Sequence, residues 1–155
     1  SMLTLFVITV TSVCMIALNL FIKKTKLGKA TRAVSQDTGA AQLMGINVNK
    51  TIAITFAIGS GLGALGGALY AIVYPQIEPY MGMLPGLKAF IAAVFGGIGS
   101  IPGAMVGGYV LGLLEAYVKG SSLTTWANPI VFGVLILILI FRPNGLFGKN
   151  VKEKV

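Results

Sequence analysis

The chain has 155 residues, 55% apolar and 10% charged, and 12 Lys and Arg stand against 4 Asp and Glu for a net charge of +8. Soluble domains carry roughly 25% charged residues, so this composition excludes a disordered chain and speaks against a soluble globule, which would lack polar groups to cover its surface. The absence of His and the single Cys, Cys14, exclude a His/Cys metal centre, an intrachain disulfide, and Ser-His-Asp or Cys-His catalysis.

Met2 to Ile22 is an uncharged run long enough to span a bilayer. No basic region precedes it and no small-residue cleavage site ends it. Lys23, Lys24 and Lys26 follow instead, so it reads as a true span and not as a signal peptide. Residues 23–50 form a polar loop that holds Lys23, Lys24, Lys26, Lys29, Arg32 and Lys50 with one acid, Asp37. Cations beside apolar runs favour a membrane topology signal over nucleic-acid binding, and they place this loop in the cytoplasm.

Within that loop, Thr25 is positioned to cap a helix through Val34. Asp37 is positioned to cap a short helix from Thr38 to Met44, with Gly45 at the C′ position. A short helix that turns Ala, Leu and Met outward fits a docking knob. The same residues also fit a helix lying on lipid headgroups.

The second span is expected over Thr51 to Tyr74, followed by Pro75 and an external loop from Gln76 to Pro85. Glu78 and Lys88 flank this loop and read as ordinary solvated charges. Gly86 to Gly97 is apolar but short for a full crossing, which suits a steep short helix or a re-entrant one. Residues 96–103 break the helix. Gly103 to Val118 is the next apolar helix, Lys119 to Ser122 a loop, and Pro129 to Phe141 the last span, with Trp126 at its interface. Residues 142–155 are a basic tail. The tail returns to the cytoplasmic side if Gly86 to Gly97 crosses. The predicted fold is an all-α polytopic transmembrane helix bundle forming one domain over residues 1–155.

Gly59, Gly63 and Gly67 recur at four-residue spacing, as do Gly103 with Gly107, Gly108 with Gly112, and Ala89 with Ala93 and Gly97. Small residues at this spacing line one helix face and let helices approach closely. Packing within one bundle is favoured over a subunit interface or a sliding gate. Gly96, Gly97, Gly99 and Ser100 admit two readings, an interfacial turn or a broken hairpin lining a pathway. Glu115 is the one ionisable residue well inside an apolar helix. An ion pair with Lys119, one turn later, is favoured over a substrate or gating contact. Four scattered carboxylates make no acid/base pair, and no P-loop pattern is present. Neither an enzyme, a cofactor nor a bound metal is predicted.

The run Thr25-Lys26-Leu27-Gly28-Lys29-Ala30-Thr31-Arg32-Ala33 and the run Ala40-Ala41-Gln42-Leu43-Met44-Gly45-Ile46-Asn47 resemble the loop of bacterial branched-chain amino acid ABC transporter permeases. Residues 86–104, the stretch from Gly107-Gly108 to Leu114-Glu115, and the ending Arg142-Pro143-Asn144-Gly145-Leu146-Phe147-Gly148 continue the match. Order and spacing resemble the LivH-type subunit more than its LivM-type partner. The resemblance covers nearly all of this chain but only the C-terminal half or so of such a permease.

The resemblance implies a permease of the bacterial inner membrane, paired with a second permease subunit, two ATP-binding subunits and a periplasmic substrate-binding protein that delivers leucine, isoleucine or valine. It implies that residues 23–50 are the cytoplasmic coupling loop. Ala40, Ala41 and Gly45 stand where the family's coupling motif has small residues, and with Leu43 and Ile46 they are the expected ATPase contacts. The residues themselves, apart from the resemblance, make Gly96, Gly97, Gly99, Ser100 and Glu115 the pathway or hinge candidates. Urea or short amides are the alternative cargo. An ion-coupled secondary transporter would show paired intramembrane acids or an inverted repeat, whereas a membrane assembly factor would need neither a pathway nor a coupling loop. A bound nucleic acid is not expected, and membrane lipid is.

Overall fold

The computed structural model describes residues 2–121 and 124–148. Its described residues form seven α-helices and one short 3-10 turn, with no strand among them. Four segments are long and apolar enough to cross a membrane: Met2–Lys24, Val48–Val73, Ile101–Gly120 and Thr124–Phe141. The expectation of an all-α set of membrane helices is met. The helices fall into two compact units, residues 1–78 and 79–155.

The first unit holds α1 (Met2–Lys24), α2 (Lys26–Gln36), α3 (Thr38–Leu43) and α4 (Val48–Val73). Hydroxyls within α1 bond back to the preceding turn, Thr9 to the Leu5 carbonyl and Thr11 to that of Val7, so the span carries no unmet hydroxyl at these sites. Lys23 and Lys24 close its last turn, where cations suit the negative end of the helix dipole. Thr25 makes the corner. Its hydroxyl donates to the Phe21 carbonyl at 2.6 Å and accepts from the Gly28 amide at 3.1 Å, ending one helix and capping the next. Gly28 lies so close to the Ile22 backbone that a Cβ would overlap it.

Some expected boundaries move. The helix after Thr25 runs to Gln36, past the predicted end at Val34. The second span starts at Val48, ahead of the predicted Thr51, because the Asn47 side chain accepts from the Lys50 amide and caps the first turn. Lys50 therefore belongs to the helix, where its long stem can carry the charge to the membrane surface.

The second unit holds α5 (Met83–Gly96), α6 (Ile101–Gly120) and α7 (Ala127–Phe141), the last preceded by the turn Thr124–Trp126. Its core joins Ile91, Ala92 and Phe95 of α5 to Leu111 of α6 and to Val131 and Leu135 of α7. With 14 residues, α5 is about 21 Å long, short of the ~30 Å hydrocarbon core. It begins at Met83, ahead of the predicted Gly86. Pro85 is accommodated because first-turn amides have no intrahelical partner to lose. Likewise α6 begins at Ile101 with Pro102 in its first turn, and it continues through Lys119 and Gly120, which the sequence had suggested were loop. Trp126 is exposed beside α7, as an interfacial anchor would be. The predicted turn residue Ser122 and the end of the basic tail from residue 149 lie outside the described residues.

Candidate functional site

The loop between α1 and α4 is a small folded body with its own core. Val34, Ala41 and Val48 are buried together, with Ala33 and Ile46 packed against them. Asp37 ends α2 and starts α3. Its amide bonds to the Ala33 carbonyl, and its carboxylate accepts from the Gly39 and Ala40 amides at 2.8 and 3.0 Å. Carboxylate acceptors at a helix start satisfy orphan amides and suit the dipole. The far end closes as a Schellman motif. The Ile46 amide reaches the Ala41 carbonyl at 3.0 Å, the Gly45 amide reaches that of Gln42 at 2.9 Å, and Gly45 takes φ +81°. Ile46 packs against the small core that holds Ala41, as the apolar contact of such a motif requires. A hydroxyl pair, Thr31 with Thr55 at 3.2 Å, ties α2 to α4.

This geometry sorts the predicted loop residues. Ala41 is only 3% exposed and Ile46 is half-buried, so both face the loop's own core. Ala40 and Gly45 are exposed, and Leu43 and Met44 stand out at 90% and 82%. The outward apolar face is therefore Ala40, Leu43 and Met44. Ala41 cannot present its side chain to a partner while that core is intact. Met44 joins the face because α3 ends at Leu43, so the C-cap residue projects beside the last turn.

The turn between α5 and α6 is packed at its α5 end, while Ile98 and Gly99 at its tip are exposed. Gly96, Gly97 and Gly145 are buried. A Cβ at Gly96 would overlap the Gly103 backbone, and one at Gly107 would overlap the Ala92 carbonyl, so the two helices meet backbone to backbone. Gly97 and Gly99 have φ of +108° and +87°, and the Ser100 hydroxyl caps α6 by accepting from the Gly103 amide at 3.2 Å. The chain after α7 then seals the turn: the Leu146 and Phe147 amides donate to the Phe95 and Gly96 carbonyls at 2.9 and 3.0 Å.

A Cβ at Gly108 would lie 4.0 Å from that of Ala92, an ordinary contact, while one at Gly112 would meet open space. Gly59, Gly63 and Gly67 also meet open space, so the expected packing of that stripe is not found within its unit. Glu115 pairs with Lys119 at 2.6 Å, and also with Lys88 at 2.7 Å. The second pair corrects the expectation that Lys88 is an ordinary solvated charge. Because α5 starts at Met83, Lys88 lies within the helix and reaches Glu115 on α6.

The model of the family described as branched-chain amino acid transport system / permease component matches residues 2–140. The chain belongs to this family. Its similarity to the branched-chain permease BraD of Pseudomonas aeruginosa is 45% identity over 155 residues, all of this chain and 50% of that protein. To the permease LivH of Escherichia coli it is 45% identical over 146 residues, 94% of this chain and 47% of that one. A probable LivH of Methanocaldococcus jannaschii is 32% identical over 157 residues, 96% of this chain and 50% of its own length. The chain thus spans about half the length of these permease relatives. No solved structure matches it.

Proposed function

We propose that this chain provides the ATPase-coupling loop and part of the translocation domain of an inner-membrane ABC importer for branched-chain amino acids. Membership of the permease family, and the high-affinity branched-chain transport named for the BraD and LivH relatives, support the cargo and the class. The observation that carries the coupling role is the α2–α3 body, a compact fold with two large apolar residues held outward beside a Schellman turn.

In this reading the Ala40, Leu43 and Met44 face enters a groove on an ATP-binding subunit. The loop core of Val34, Ala41 and Val48 makes the knob rigid, so a displacement there passes into α4 as a rigid-body shift. Gly45 lets the chain turn back without crowding the groove. A second permease, two ATP-binding subunits and a periplasmic binding protein complete the assembly. ATP hydrolysis resides on the partner subunits.

The test is co-purification from native membranes of the C-terminally tagged protein in mild detergent. ATP-binding subunits should be recovered with it and lost from a Leu43→Asp, Met44→Asp variant that still inserts. Equal recovery with that variant would overturn the coupling assignment.

A further inference from the structure

We infer that the cleft between α5, α6 and α7 is a zwitterion-binding site in which Lys88 takes the carboxylate and Glu115 the ammonium group of an α-amino acid. The inference deepens the reading of the chain as part of an amino-acid importer and rests on it. The cleft has a volume of about 190 Å³. Its charged lining residues are one cation and one anion, Lys88 and Glu115, 2.7 Å apart. The rest of its wall is apolar or small, with Ile91, Leu111 and Val131 on the apolar side and Gly108 and Gly112 leaving room beside the charges.

Ionisable groups inside apolar helices are costly and face an interior or a water-filled cavity. Here the pair opens onto a cleft. One opposite-charge pair beside an apolar wall is the complement of a free α-amino acid with an aliphatic side chain. The pair also has a means of opening. Lys119 holds the same Glu115 oxygen at 2.6 Å from one turn along α6 and does not line the cleft. Glu115 therefore keeps a cation when Lys88 turns to a ligand. The Lys88 ammonium, with three donors, can hold a carboxylate while it stays near Glu115.

The test uses the complex purified with this protein from native membranes and reconstituted in vesicles of neutral lipid. Uptake of labelled leucine and ATP hydrolysis stimulated by the loaded binding protein are measured together. Lys88→Gln and Glu115→Gln should each lower leucine moved per ATP hydrolysed about tenfold or more, the loss expected for a charge-assisted contact. Uptake should fall further than stimulated hydrolysis does, and Lys88→Arg should restore uptake.

A parallel fall of uptake and hydrolysis, with no rescue by arginine, would make the ion cluster structural and overturn the site. So would unchanged uptake in both glutamine variants. A defect in Lys88→Gln that appears or vanishes with anionic lipid would assign the lysine to a lipid headgroup instead. If the unsubstituted complex moves no amino acid while hydrolysing ATP, the importer reading fails first, and the site falls with it.

Discussion

The backbone amide of Leu146 donates to the carbonyl of Phe95 at 2.9 Å, across two intervening helices of sequence. With the Phe147 amide on the Gly96 carbonyl, it satisfies two acceptors that the end of α5 would otherwise leave bare. The contact needs glycine on both sides. Gly97 has φ +108° and Gly145 +74°, and a Cβ at Gly145 would sit 2.6 Å from the Gly97 nitrogen.

Substitution at this seal should therefore release the segment after α7. Gly145→Ala combines a left-handed backbone, costing about 1–2 kcal/mol, with a backbone overlap. Hydrogen exchange of peptides covering residues 144–148 and 95–97 should accelerate together, with little change in α1. Unaltered exchange at both peptides would contradict the seal.

Gly28 and Gly63 should behave oppositely. Alanine at Gly28 strikes the Ile22 backbone and should open the corner between α1 and α2, whereas Gly63 has open space around it. Thermal denaturation of the purified protein should show a marked loss for Gly28→Ala. Gly63→Ala should match the parent or exceed it slightly, since alanine is the better helix former by about 1 kcal/mol.

Gly45 sets a graded series. At φ +81°, asparagine is tolerated better than alanine, and alanine better than valine. The yield of co-purified ATP-binding subunits should fall in the order Gly, Asn, Ala, Val. An order that follows side-chain size alone, with Ala above Asn, would point to groove sterics and away from turn geometry.

Asp37→Ala removes the acceptor for the Gly39 and Ala40 amides and should cost about 1 kcal/mol. Because α3 has six residues, that loss should fray it. Asp37→Asn retains a capping oxygen and should restore most of the stability, read by exchange at residues 38–44.

Much of this was legible in the residues themselves. The spans follow from uninterrupted apolar runs. Thr25, Asp37 and Gly45 announce their caps because their side chains, or the lack of one, act on neighbours a few positions away. Boundaries drifted where two local signals competed. Charge at Lys50 argued for loop while Asn47 had already started α4, and Pro85 argued for loop while a first helical turn accepts proline.

What stayed hidden depends on chain segments far apart. Nothing local to Gly97 names Gly145 as its neighbour. Lys88 and Glu115 meet only because α5 and α6 pack side by side. The four-residue stripes look alike in sequence, yet Gly103 and Gly107 press on α5 while Gly59, Gly63 and Gly67 find nothing in their own unit. A repeat specifies a face without specifying its partner.

The seal at Phe95 and Gly96 also imposes an order on biogenesis. Ribosomes deliver α5 well before Leu146 and Phe147 exist, so the nascent α5 has carbonyl ends that its final neighbours have yet to meet. In hydrocarbon such groups are costly. Until α7 and the segment after it have been made, those two carbonyls need water, headgroups or another donor. A chain truncated after Phe141 should leave α5 accessible to aqueous labelling reagents during synthesis, and completion through Gly148 should end that access.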